Sequence, residues 1–123
     1  MIDIDNDVSM YIEDGILFLI ANKVLSIDLD MAKAIVKKRL DVCNGKSYPT
    51  FLDYGKSTYA DLQARQYFSK EGVEGVLLAA FCVNNVASKL FINCYLMVHT
   101  PAIPTKVFSD RASAIKWLKQ FAG

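Results

Sequence analysis

The stretch Asp53-Tyr54-Gly55-Lys56-Ser57-Thr58 brings together a carboxylate, a phenol, a primary amine and two hydroxyls. Gly55-Lys56-Ser57 reads like the close of a phosphate-binding loop, G-x-x-x-x-G-K-[ST], whose backbone N–H groups, lysine and hydroxyl hold phosphates and magnesium. That loop needs a glycine five positions before Gly55, and Thr50 stands there. It also needs a flexible turn ahead of the lysine, where Thr50-Phe51-Leu52-Asp53 has the character of a strand. The sequence therefore argues against nucleotide hydrolysis. The same residues suit a tight strand-to-helix turn, with Gly55 taking an unusual backbone angle, Thr58 capping the next helix and Asp61 completing a capping box. In open α/β sheets, ligands and partners meet the protein beyond the carboxyl ends of the strands. Asp53, Tyr54, Lys56, Ser57, Thr58 and Tyr59 would lie there and form the candidate binding or regulatory loop. Arg65, in the following helix, is placed to pair with Asp53 as a structural ion pair or an anion site. A phosphate on Ser57 would be favoured by the helix N-terminus and by Lys56.

No other set of residues forms a catalytic constellation. His99 is the sole histidine and stands before Thr100-Pro101, where capping a helix end is the expected role, and no metal site is expected. Serine-nucleophile and dinucleotide glycine motifs are absent. Glu13-Asp14 and Asp28 with Asp30 fit turn and cap chemistry. Cys43, Cys82 and Cys94 are odd in number, lack a C-x-x-C pair and lie in apolar stretches, as reduced thiols of a cytoplasmic protein do. Tyr48, Tyr54, Tyr59, Tyr67 and Phe68 cluster around the second helix, either as core or as a half-exposed face for a ligand, a partner or a second copy.

The chain of 123 residues is one domain's worth, and 53% hydrophobic content marks it as globular. A net charge of +1 supplies no field for nucleic acid or an anionic membrane. The acidic opening lacks a basic segment followed by an apolar one, so no secretory signal is expected. The longest apolar runs fall short of the roughly 20 residues that span a bilayer.

These residues must be positioned by regular elements. Two β-rich runs, near Ser9 to Ile12 and Ile16 to Ile20, flank Glu13-Asp14-Gly15 as a hairpin. From Asp28 the period changes, with Ala32, Ile35, Val36, Leu40 and Cys43 on one helical face and Lys33, Lys37, Lys38 and Asp41 opposite. Asp28 or Asp30 caps its start, and Asn44-Gly45 stops it. A strand through Pro49 to Asp53, a second helix (TYADLQARQYFSKEG), an apolar strand over Gly75 to Val83, a third helix (NNVASKLFINCYLMVH), a short strand around Lys106 to Phe108 and a last helix follow. The last carries a stripe of Ala114, Ile115, Leu118 and Phe121, capped by Ser109 or Asp110. The order ββαβαβαβα predicts a mixed α/β sheet, its later strands parallel, with an antiparallel hairpin on one side.

That order, the Pro49-to-Asp53 strand, Ala64-Arg65, the strand VLLAAFCV, Asn93 and above all the ending PAIPTKVFSDRASAIKWL resemble the STAS-like, or SpoIIAA-like, small bacterial domains over nearly the whole chain. The resemblance implies a four- or five-stranded sheet with helices mainly on one side and a single domain over residues 1–123. It also implies a non-enzymatic regulatory or protein-interaction module without a cofactor. In antagonists of anti-sigma factors, a serine in the loop after the third strand is phosphorylated by a partner kinase; Ser57 or Thr58 is the counterpart by position. The D-S-S-G-type motif of those proteins is replaced here by Asp53-Tyr54-Gly55-Lys56-Ser57-Thr58. The alternative is a carrier of a small apolar or anionic ligand, bound between the sheet and the third helix by Phe91, Cys94, Tyr95 and Met97.

Overall fold

The structure, a computed structural model, describes residues 4–23, 25–53, 59–70, 74–83 and 103–121. A single helical turn, α1 (Ile4–Asp7), leads into the hairpin of β1 (Val8–Glu13) and β2 (Ile16–Ala21). Asp14 and Gly15, which join the strands, both take positive φ, 53° and 77°. Two left-handed residues in succession give a turn whose twist matches that of the strands, and aspartate followed by glycine adopts it at little cost.

A short strand, β3 (Ser26–Ile27), precedes α2 (Leu29–Cys43). Asp28 caps the helix by accepting from the N–H of Met31 at 2.8 Å. Asn44 ends it in the left-handed region, φ 50° and ψ 50°, with its N–H bonded to the Leu40 carbonyl. Asparagine tolerates that conformation better than most residues with a Cβ. On the predicted apolar face, Ala32, Ile35, Val36 and Cys43 are buried and Leu40 is half-buried, while Lys33, Lys37 and Asp41 are exposed.

β4 (Tyr48–Asp53) runs parallel to β2 on one side and to β6 (Val76–Cys82) on the other. Pro49 cannot donate to either ladder. The pairing with β6 shifts register between Tyr48 and Pro49, so the irregularity falls where the N–H is missing. β7 (Thr105–Phe108) adds in parallel to β6, giving the order β1-β2-β4-β6-β7. Asp110 caps the last helix, α4 (Arg111–Lys119), accepting from the Ser113 N–H at 2.7 Å.

Alternation along the strands divides the core in two. Val8, Leu19, Leu25 and Ile27 pack with Met31, Ala32 and Ile35 of α2 and Ala64 of the second long helix on one face. Ile16, Phe18, Phe51, Leu78 and Ala80 pack with Ala114 and Leu118 of α4 on the other. β2 is apolar at every position because both of its faces are covered. Arg39, only 3% exposed, donates from Nη1 to the Glu74 carbonyl at 2.8 Å and ties α2 to the approach to β6. The predicted α/β class and its mixed sheet of four to five strands are thus observed, with five strands; among the described residues α2 and the helix that carries Ala64 lie on one face and α4 on the other.

Two local expectations need correction. The helix after β4 is α3 (Leu62–Ser69), and its cap is Asp61, which accepts from Ala64 N–H at 2.9 Å. The expected capping box from Thr58 is displaced because Tyr59–Ala60 form a strand, β5, paired in parallel with β3. The Asp61 N–H then bonds the Ile27 carbonyl at 3.0 Å, so the backbone is committed to the small sheet until that residue. Of the predicted α4 stripe, Phe121 lies just beyond the helix and is half exposed, stacked edge-on against Trp117. The third helix expected after β6, with Phe91, Cys94, Tyr95, Met97 and His99, lies outside the described residues.

Candidate functional site

β2, β4, β6 and β7 all point the same way, so their carboxyl ends form one rim: Ala21, Asp53, Cys82 and Phe108. The candidate loop leaves this rim at Asp53 and returns at Tyr59. Its exit is held by the pairs Ser26–Tyr59 and Ile27–Ala60, then by the Asp61 cap of α3. Tyr54, Lys56, Ser57 and Thr58, the core of the predicted site, lie outside the described residues. Both ends of their segment are nevertheless fixed, one to the main sheet and the other to the β3–β5 pair.

Just past the exit stands Leu62, the first residue of α3, 51% exposed. Tyr67 and Phe68 pack against the core cluster under α2 and α3, so those two members of the aromatic group serve the interior. Arg65 is half-buried and donates from Nε to the Asp61 carbonyl at 3.4 Å, bracing the first turn of α3. The strand alternation that puts Leu52 under α3 directs Asp53 to the other face, where α4 lies.

That second face holds charged groups which sequence reading did not assemble. Asp53 sits beside Ile20 in the register, and Cys82 beside Phe108. The start of α4 brings Asp110 and Arg111 to the same end of the sheet. The Arg111 guanidinium lies 5.2 Å from the ring centres of both Phe18 and Phe51, and its Nη2 donates to the Tyr11 hydroxyl at 3.4 Å. Tyr11 in turn stacks on Phe18 at 5.0 Å and 8°. A cation over two ring faces gains from their quadrupoles, here by about 0.5–1 kcal/mol each at an accessible site. Asp110 is held below the usual carboxylate range, first by the Ser113 backbone N–H and then by its hydroxyl at 2.8 Å.

The Cys82 thiol is pushed up from its ordinary value, chiefly by burial, further by the Asp53 and Asp110 carboxylates, with Arg111 partly offsetting them. The shift lowers its thiolate fraction further, and a protonated thiol is a poor nucleophile and metal ligand. Cys43 is pushed up as well, by burial, against the opposing pull of Arg39. Among the described residues no three metal-ligating side chains converge. Nor is any helix among them long and apolar enough to cross a membrane. The rim thus carries the Asp53 and Asp110 carboxylates and the Arg111 guanidinium, with the exposed Leu62 just past the loop's exit.

Sequence reading had Cys82 only as a reduced thiol in an apolar stretch and did not single out Arg111. The usable signal was that each closes or opens an element next to β4: Cys82 ends an apolar strand, and Arg111 follows a helix cap.

A family model described as Domain of unknown function (DUF7793) matches residues 10–122. Among solved structures, the chain is similar to an uncharacterised protein of the DUF3478 family with a SpoIIAA-like fold from Shewanella loihica PV-4. The TM-score is 0.64 at 13% identity, over 90% of this chain and 91% of that one, a likeness of fold alone. The comparison with curated proteins gives no match.

Proposed function

The chain belongs to the DUF7793 family, and from that premise and its SpoIIAA-like fold we propose that it is a non-enzymatic STAS-like module that binds a protein partner through the 53–59 loop. The observation that carries this reading is the anchoring of the loop: Asp53 ends a central strand, while Tyr59–Ala60 and the Asp61 cap fix the return. A segment of seven residues held at both ends loses less conformational freedom on binding than a free one. Leu62, exposed beside it, supplies the apolar contact that a protein partner rewards. The raised Cys82 pKa speaks against thiol chemistry at the same rim.

Phosphorylation of Ser57 would act as the switch, adding about two negative charges a few residues from Asp53. The test is a photo-crosslinking residue placed at Lys56, with a second placed at Leu77 at the opposite end of the sheet. In host cells the Lys56 probe is expected to capture one discrete protein, and Ser57→Asp should abolish the capture. Equal capture from Leu77, or capture indifferent to Ser57→Asp and Leu62→Asp together, refutes the reading.

A further inference from the structure

We propose that the outer edge of β1 is a self-association site, on which a second copy of the chain pairs its own β1 antiparallel about a two-fold axis at Tyr11. The hairpin decides which backbone groups face outward. The Asn22 N–H donates to the Asp7 carbonyl at 2.8 Å, Val8 lies opposite Ala21, and Glu13 lies opposite Ile16 across the two-residue turn. Bonded and non-bonded pairs alternate along an antiparallel ladder. Asp7, Ser9, Tyr11 and Glu13 therefore direct their N–H and C=O groups to β2, and Val8, Met10 and Ile12 direct theirs away from it. Among the described strands β1 is the outermost of the sheet, so these groups form its edge.

One end of that edge is already closed. The Val8 carbonyl accepts from Lys38 Nζ of α2 at 3.1 Å, an independent sign that Val8 faces outward. Among the described residues nothing bonds the outward groups of Met10 and Ile12. From Ser9 to Glu13 the strand has no lysine, proline or bulge of the kind that keeps sheet edges apart. Its last residues instead expose Tyr11 by 36% and Ile12 by 38%, on opposite faces of the sheet.

The choice of a second copy comes from self-complementarity. Two such edges bond only through outward-facing residues. The register that uses both free positions and leaves Val8 to Lys38 sets Met10 against the second copy's Ile12, and Ile12 against its Met10. Each of these bonded pairs exchanges two hydrogen bonds. Tyr11 then meets itself on the axis, at a non-bonded position where Cβ atoms lie about 4.5–5.5 Å apart. Ser9 falls opposite Glu13, so no like charges face each other, and a net charge of +1 per chain adds little repulsion. The patch is isologous, as a two-fold dimer requires. A five-residue edge lies below the area of a standard interface, so the dimer is weak and concentration-dependent.

Sedimentation of the full chain up to about 1 mM is expected to show a reversible monomer–dimer equilibrium. Ile12→Lys, which plants a charge against the second copy's Met10, should weaken it about tenfold or more. Met10→Pro should do the same while the fold persists, because the N–H it removes faces away from β2. Under oxidation, Tyr11→Cys should give a disulfide dimer and Ser9→Cys should not, with the unaltered chain as the background for its own thiols. A monomer at every concentration overturns the proposal, as does a dimer whose affinity neither edge variant changes, or one that cross-links at Ser9→Cys in place of Tyr11→Cys.

Discussion

Replacing Asp61 with alanine tests whether the exit of the candidate loop is held as the geometry implies. The Asp61 side chain accepts from the Ala64 N–H at 2.9 Å, and Ala64 is fully buried, so water cannot replace the lost acceptor without reorganising the first turn. Losing an N-cap costs about 0.5–2 kcal/mol, and an unpaired buried donor costs about 1–3 kcal/mol. The two descriptions concern one bond and are not summed, so about 1–2 kcal/mol is expected, towards the upper end for a cap. With a urea m-value of about 1.5 kcal/mol/M, the unfolding midpoint should fall by about 1 M. Asp61→Asn retains an acceptor in the same place and should lose less than half as much. Amide exchange adds the local readout: Ala64 should lose protection, and so should Asp61, whose N–H donates to the Ile27 carbonyl. A midpoint within 0.2 M of the parent, or equal losses for the alanine and asparagine variants, would falsify the argument that this cap anchors the loop.

Further outcomes concern the end of α2 and the charged rim. Asn44→Ala places a residue with a full left-handed penalty at φ 50° and should destabilise the chain by about 1 kcal/mol, whereas Asn44→Gly should be neutral or stabilising, read by urea unfolding of both. The Cys82 thiol should react with a disulfide reagent more slowly at pH 8 than a free cysteine, because its folded pKa is raised and the thiolate fraction is reduced. Since the Asp53 carboxylate opposes ionisation and Arg111 favours it, Asp53→Asn should move the midpoint of reactivity against pH downward and Arg111→Gln upward. Shifts of the opposite sign would mean that these charges do not face the thiol. For stability the sign is also fixed: above the ordinary thiol range the unfolded chain releases this proton before the native one does, so stability falls as pH rises there.

Much of the fold was legible because local signals agreed with each other. Glu13-Asp14-Gly15 between two apolar runs marked the hairpin, Asn44-Gly45 marked the end of α2, and of the caps left open, Asp28 or Asp30 and Ser109 or Asp110, Asp28 and Asp110 are the ones used. The failure after β4 has a clear cause. Thr58 followed by Asp61 matches a capping box, but Asp61 is an equally good cap by itself. Which one caps depended on Ser26 and Ile27, some thirty residues earlier, offering a strand to Tyr59 and Ala60. A pairing that short carries no periodicity of its own.

The amino-acid sequence by itself determined the α/β class, the hairpin and the extent of α2, and it marked the loop at which function is sought, since each rests on propensities and patterns within a few residues. Tertiary structure alone decided which side chains share the rim. Arg111 reaches Tyr11, a hundred positions away in the chain, because α4 lies across the face that displays Phe18 and Phe51. The same packing buries Cys82 within the field of the Asp53 and Asp110 carboxylates and so pushes its thiol up from the ordinary value. The free edge of β1 also arises only when the sheet orders its strands and α2 places Lys38 over one end. Charges and unpaired backbone groups act through space, and their neighbours are set by how the layers stack.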